Sequence, residues 1–281
     1  MDVEKIQVVG AGLMGSGIAQ VAAQSGFSVH LSDVHEGALE QGLETIKNNL
    51  ARSVERQRIS RDEMDESLGR IEPGTEYAAD ADLAIEAVVE VAEVKTEVLR
   101  ALDERLGDGA ILATNTSSIS VTRLGAQTDR PEKFVGMHFF YPVPLMELVE
   151  IIRGAETSDE TCQAAHVLAE RLGKEPVEVQ DFPGFVSNRV LMPMINEAIY
   201  CVMEGVAEPE EVDKVMKLGM SHPIGPLALA DLIGLDTCLH VMKVLHEGFD
   251  DSKYRPCPLL KRYVAAGWLG RKSGRGFYEH E

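Results

Sequence analysis

A chain of 281 residues with 44% apolar residues is long enough for one large or two ordinary domains, and apolar enough to exclude intrinsic disorder. The formal net charge of −19 excludes general nucleic-acid binding, which needs a cationic footprint, but leaves room for a small anionic ligand because clefts act locally. Cys162, Cys201, Cys238 and Cys257 are too dispersed for a metal site or a disulfide framework, and point to a reducing, cytoplasmic setting.

Ile6 to Ser32 lacks Asp, Glu, Lys and Arg and is long enough to span a bilayer. Its five glycines, three glutamines, several serines and a histidine make it too polar for a membrane helix. Asp2, Glu4 and Lys5 ahead of it are not the basic lead of a signal peptide. No membrane segment is expected.

Ile6 to Val9 reads as a buried strand. Gly10, Gly12 and Gly15 then form G-x-G-x-x-G, followed by a helix through Ile18 to Ala23 that Gly26 closes, a strand from Ser28 to Ser32, and Asp33 at its end. Strand, glycine turn, helix, strand and acid, with Asp33 placed 21 residues beyond Gly12, form a dinucleotide-binding fingerprint. The first glycine makes the turn, the second admits pyrophosphate and the third lets helix pack on strand. The helix N-terminus, at Leu13 and Met14, offers N–H groups to the phosphates.

Glu36 to Arg56 is an amphipathic helix with Leu39, Leu43, Ile46, Leu50 and Val54 on one face. Ser60-Arg-Asp-Glu63 is a capping box opening a further helix to Leu68. From Lys47 to Arg61 the charge inverts, with five cations (Lys47, Arg52, Arg56, Arg58, Arg61) against Glu55 alone. Such an island is either a solvated hairpin or an invitation to a phosphate-bearing ligand.

Asp82 to Val89 reads as a buried strand interrupted by Glu86 and followed by Glu90, then a helix to about Leu106. Ala110 to Thr114 is a strand ending in the polar turn Asn115-Thr-Ser-Ser118, at the edge where open α/β sheets bind ligands. Lys133 to Phe139 is a strand leading into Met137-His-Phe-Phe-Tyr-Pro-Val-Pro144. Leu145 to Ile152, a helix from Ser158 to Leu172 and a strand from Glu175 to Gln180 complete a doubly wound sheet. Past Asp181-Phe-Pro-Gly184 only helical patterning remains: Phe185 to Met203, Pro209 to Leu218, Pro226 to Gly248 and Pro256 to Ala266. Residues 1–182 are therefore read as a Rossmann-type domain with a helical hairpin insertion, and 183–281 as a smaller all-helical domain whose methionine-rich apolar surface suits dimerisation.

Hydride transfer to a nicotinamide needs a base for the hydroxyl proton and an acid to hold that base in one tautomer. His138 and Glu150, the latter inside the apolar run Leu148 to Ile152, have those types. Ser117 and Asn188 are candidate donors to the reacting oxygen. Asn188 stands at the start of the second domain, where a cleft role is plausible.

These motifs together, Gly10-Ala-Gly-Leu-Met-Gly-Ser-Gly-Ile-Ala-Gln20, Asn115 to Ser118, His138-Phe-Phe140 with Pro142-Val-Pro144, Asp181-Phe-Pro-Gly-Phe-Val-Ser-Asn-Arg189 and the closing Gly270-Arg-Lys-Ser-Gly-Arg-Gly-Phe-Tyr278, resemble the L-3-hydroxyacyl-CoA dehydrogenase family. Within it they are similar to the bacterial 3-hydroxybutyryl-CoA dehydrogenase branch. The resemblance implies NAD as cofactor, an acyl-CoA substrate, His138 as base and Glu150 as its partner, with Ser117 and Asn188 around the substrate's 3-oxygen. It implies Asp33 on the adenosine ribose, Glu90, Lys95 and Asn115 along the nicotinamide half, and Arg52 and Arg56 on the CoA phosphates and adenine. It also implies a homodimer, built by the small domain that closes the cleft. Tyr141 and Val91 depart from the family, which usually has asparagine at both places. Beside the cofactor, the tyrosine either replaces the amide's hydrogen bond or narrows the acyl pocket. Two other readings are a β-hydroxyacid dehydrogenase acting on a free acid, whose catalytic-lysine motif is absent here, and a non-catalytic dinucleotide-binding protein.

Overall fold

Apolar runs with few breaks build the centre of the sheet in the computed structural model, which describes residues 3–280. Strands buried on both faces read as such runs, because helices cover both sides of a parallel sheet. The chain divides into two compact units between Asp181 and Phe182.

The first unit contains β1 (Lys5–Val9), α1 (Leu13–Gln24), β2 (Ser28–Ser32), α2 (Glu36–Glu55), α3 (Arg61–Gly69), β3 (Ile71–Gly74), β4 (Leu83–Glu86), α4 (Ala92–Arg105) and β5 (Ile111–Thr114). It continues with α5 (Val121–Gly125), β6 (Phe134–Phe139), β7 (Leu148–Arg153), α6 (Asp159–Arg171) and β8 (Glu175–Gln180). One sheet of eight strands runs β3-β2-β1-β4-β5-β6-β7-β8. Its first six strands have the Rossmann order, with the direction of winding reversing between β1 and β4. All neighbours are parallel except β6 and β7. The carboxyl ends of β1, β2, β4, β5 and β6 therefore lie on one edge.

The second unit is helical: α7 (Ser187–Met203), α8 (Pro209–Gly219), α9 (Pro226–Ile233), α10 (Leu235–Phe249) and α11 (Pro258–Ala265). Met192, Ile195, Ile199, Leu227, Leu235, Met242, Leu245 and Leu260 form its core.

Five elements differ from the sequence expectation; among them β7 starts at Leu148, three residues after the expected Leu145. β3 was not anticipated, because Pro73 carries no N–H; the strand sits at the sheet edge, where a missing donor is tolerated. α5 is a single short helix capped by Ser120 and too brief to show a period. β4 stops at Glu86, three residues before the end of its apolar run. The helix expected over Pro226 to Gly248 is two helices broken at Gly234, whose φ of +103° no α-helix accommodates. The capping box at Ser60 forms as expected, with Glu63 N–H donating to Ser60 Oγ and Ser60 N–H to the Glu63 carboxylate.

α2 rides directly on the glycine turn. A Cβ on Gly42 would stand 2.5 Å from the Ala11 carbonyl oxygen. Gly42→Ala should therefore lift α2 and cost roughly 1–3 kcal/mol, seen in urea unfolding as a lower midpoint at unchanged slope. An unaltered midpoint would mean that the helix does not depend on that contact.

Candidate active site

His138 is the fifth residue of β6, and the antiparallel register sets it directly opposite Glu150 in β7. Directly opposed residues project to the same face of a sheet, so two side chains twelve positions apart meet. The imidazole Nδ1 lies 2.8 Å from Glu150 Oε2. A carboxylate only accepts, so Nδ1 donates and the ring is held with Nε2 as its reactive nitrogen. Both side chains are buried, and the Phe140 ring lies 4.5 Å from the imidazole, tilted by 43°. The histidine is within the strand, with the rigidity that implies.

The loop past β6 lies against α1. A Cβ on Gly17 would come within 2.9 Å of Val143 Cβ, so this glycine lets the stretch after the histidine seat on the helix that follows the glycine turn. Lys174 Nζ holds the loop from the other side, donating to Val143 O at 2.6 Å and Met146 O at 2.8 Å. Tyr141 is 63% exposed.

At the glycine turn, Gly10 has φ +99° and a Cβ there would meet the Ala87 carbonyl at 2.6 Å. A Cβ on Gly15 would overlap the Gly10 carbonyl. These two glycines are required by the protein's own backbone. Gly12 is not, since nothing lies within 4 Å of where its Cβ would be. A glycine with no internal reason, exposed at the N-cap of a helix that has no side-chain cap, is what close approach of a dinucleotide pyrophosphate would require. Leu13 and Met14 begin that helix. Asp33 Oδ2 accepts from the Ala11 N–H at 2.9 Å and Oδ1 from the His35 N–H at 2.9 Å, which fixes its carboxylate beside the turn.

The polar turn after β5 is built around Glu90. Its Oε1 accepts from the Thr116 hydroxyl at 2.6 Å, from the Ser117 and Ser118 N–H groups at 2.9 and 3.0 Å, and from the Ser117 and Ser118 hydroxyls at 3.3 and 2.9 Å. Burial raises the Glu90 carboxyl, but the Lys95 ammonium and these donors outweigh it and hold the carboxyl below its ordinary value. Lys95 has no exposed surface. Its ammonium lies 2.8 and 3.0 Å from the two Glu86 oxygens, 3.2 Å from the Asn115 carbonyl and 3.4 Å from Glu90 Oε2. Asn115 Oδ1 accepts from Phe139 N–H at 3.0 Å, tying this turn to the strand that carries the histidine.

In the sequence, Glu86 is only an interruption of a strand. The structure buries it completely, with the Thr114 hydroxyl at 2.6 Å, the Val88 N–H at 2.7 Å and Lys95 as partners. Burial is the dominant effect and pushes its carboxyl up, against the pull of Lys95. The signal that singles out Glu150, an acid inside an apolar run, was equally present at Glu86.

Arg52 lies in the last turn of α2 and Arg56 caps it; both are exposed, and no carboxylate among the described residues pairs with either. Asn188 belongs to the second unit, where it is buried in the first turn of α7. Among the described residues, no cluster of His, Cys, Asp and Glu could hold a metal ion.

Residues 5–182 match the family model described as the NAD-binding domain of 3-hydroxyacyl-CoA dehydrogenase, and residues 184–280 match that family's C-terminal domain. A Bacillus subtilis protein named as a probable 3-hydroxybutyryl-CoA dehydrogenase is 58% identical, over 100% of this chain and 99% of its own. A 3-hydroxybutyryl-CoA dehydrogenase of Bradyrhizobium diazoefficiens is 54% identical over 99% of this chain and 96% of its own. The crystal structure of an (S)-3-hydroxybutyryl-CoA dehydrogenase from Ralstonia eutropha has 48% identity and a TM-score of 0.96, with both chains covered completely. The chain belongs to the 3-hydroxyacyl-CoA dehydrogenase family.

Proposed function

We propose that this chain is an NAD-dependent oxidoreductase interconverting (S)-3-hydroxyacyl-CoA and 3-oxoacyl-CoA of short acyl length, 3-hydroxybutyryl-CoA and acetoacetyl-CoA among them. The observation that carries this reading is the buried His138–Glu150 pair on the same sheet edge as a dinucleotide-type glycine turn.

NAD, when bound, accepts or supplies the hydride. In the oxidative direction His138 Nε2 takes the proton of the substrate's 3-hydroxyl, and in the reductive direction it returns that proton. Glu150 keeps the other ring proton on Nδ1 and stabilises the imidazolium that forms, as the acid of a hydrolase triad does. The Ser117 hydroxyl, kept beside Glu90 at 3.3 Å, turns its single proton from that carboxylate to the 3-oxygen as charge develops there. Asn188 serves the same oxygen; this role rests on its motif, Asp181 to Arg189.

Gly10, Gly12, Leu13, Met14 and Gly15 hold the pyrophosphate, and Asp33 takes the adenosine ribose hydroxyls, which repels a 2′-phosphate and favours NAD over NADP. Glu90, Asn115 and Tyr141 line the nicotinamide half. Lys95, being fully buried, serves that half through Glu90. Arg52 and Arg56 meet the CoA phosphates, and their lack of internal carboxylate partners among the described residues leaves them available. That basic face favours a CoA thioester over a free hydroxyacid.

The second unit exposes Val206, Val215, Leu218 and Met220, with Leu218 at 75%, and such apolar exposure supports a homodimer. Four free cysteines fit a cytoplasmic setting, and no helix among the described residues is long and apolar enough to cross a membrane. The place in metabolism this reading supports is short-chain fatty-acid and butanoate turnover.

Purified protein should consume NADH with acetoacetyl-CoA. His138→Gln should lower kcat by about 10²–10⁴-fold while circular dichroism and the melting temperature stay near wild type. Full turnover by that variant would remove His138 from the mechanism. Arg52→Ala combined with Arg56→Ala should raise KM for acetoacetyl-CoA with kcat little changed, and the defect should shrink as salt is added. An unchanged KM at low salt would move the CoA phosphates elsewhere.

A further inference from the structure

Glu86, Lys95 and Glu90 form one line of charge at the ends of β4 and β5, and the mechanism gives no part to its inner end, Glu86. The ammonium of Lys95 has no exposed surface and cannot touch a bound molecule as placed. Glu86 has none either, and its oxygens are saturated by Lys95, Thr114 and Val88 N–H. Glu90 is the member that reaches the turn carrying Ser117, through both its N–H and its hydroxyl.

We propose that Glu86 is a positioning residue for Ser117, acting through Lys95 and Glu90. This rests on the reading of Ser117 given above. The two Glu86 oxygens hold Lys95 Nζ at 2.8 and 3.0 Å, closer than Glu90 Oε2 at 3.4 Å. The strong partner keeps the ammonium back. Glu90 then turns its other oxygen, Oε1, wholly to the five donors of Thr116, Ser117 and Ser118. Lys95 Nζ also donates to the Asn115 carbonyl at 3.2 Å, which anchors the first residue of the same turn. If Glu86 loses its charge, the buried ammonium has only Glu90 to neutralise it. It moves toward Glu90, the carboxylate rotates to meet it, and the hold on the Ser117 hydroxyl loosens.

A merely structural role for Glu86 would lower stability without favouring one step. A positioning role predicts coupling to Ser117, which a double-mutant cycle on kcat measures. With acetoacetyl-CoA and NADH, Ser117→Ala should lower kcat about 100-fold. Glu86→Gln should lower kcat about tenfold, since small misplacements are costly in the reacting geometry. In the Ser117→Ala background, Glu86→Gln should change kcat by less than about twofold. A further tenfold loss in that background, or no loss in the single variant, would overturn the proposal and leave the reading of Ser117 standing. Unimpaired turnover by Ser117→Ala would instead remove the reading on which the proposal rests. Should Glu86→Gln fail to fold, Thr114→Val, which removes only the hydroxyl on Glu86 Oε2, takes its place in the same cycle. It should show about a threefold loss that vanishes in Ser117→Ala; a loss that persists there would overturn the proposal equally.

Discussion

The antiparallel register of β6 and β7 is the constraint on which the site depends. It pairs His138 with Glu150 and leaves Met137 opposite Ile151 and Phe139 opposite Val149, so the same alignment that joins base and acid buries apolar side chains on the opposite face. A slip of one residue would turn Glu150 away from the imidazole and send Ile151 or Val149 to meet it. Because every residue of β6 is buried, that slip is opposed by the whole strand rather than by one hydrogen bond. The pair is precise because the hydrophobic core makes it so. Removing the acid alone would take from the buried ring the carboxylate that Nδ1 faces at 2.8 Å.

The rest of the first unit delivers groups to the same edge by a different rule. In a parallel sheet all carboxyl ends lie together, and loops there are free to differ. Asp33 follows β2, Glu86 ends β4, Asn115 follows β5 and His138 is the penultimate residue of β6. Charges concentrate on this edge although the core beneath it is apolar, and each buried one is paired. Glu86 with Lys95 and His138 with Glu150 are examples of the general cost of an unpaired buried charge avoided. Small residues join these groups into a single assembly. Gly17 admits Val143 to α1, and Gly42 admits the Ala11 carbonyl to α2.

Much of this was legible in the residues. The glycine turn, its strand and helix, and Asp33 are set by local chemistry, and local chemistry is what a sequence displays. The Ser60 capping box was readable for the same reason. Glu150 could be linked to His138 because both types were needed for one reaction, but the cross-strand register that joins them is a long-range fact. What escaped was of two kinds. β3 contains a proline and pairs only through its place at the edge, so no local pattern marks it. Glu86 carries a local signal, an acid in an apolar run, but its partners Lys95 and Thr114 are brought to it only by the sheet. Gly234 shows the converse: a glycine among apolar residues was read as part of one helix, while its positive φ breaks the run in two.

Glu150 fixes His138 as the tautomer with its proton on Nδ1 and its base at Nε2. Nitrogen-15 NMR of protein labelled in histidine, recorded in alkaline buffer, reads this directly, with the His138 signals assigned by their loss in His138→Gln. The expected spectrum shows a protonated Nδ1, its proton shifted downfield by the carboxylate, and an Nε2 without a proton. A proton found on Nε2 with Nδ1 bare would contradict it.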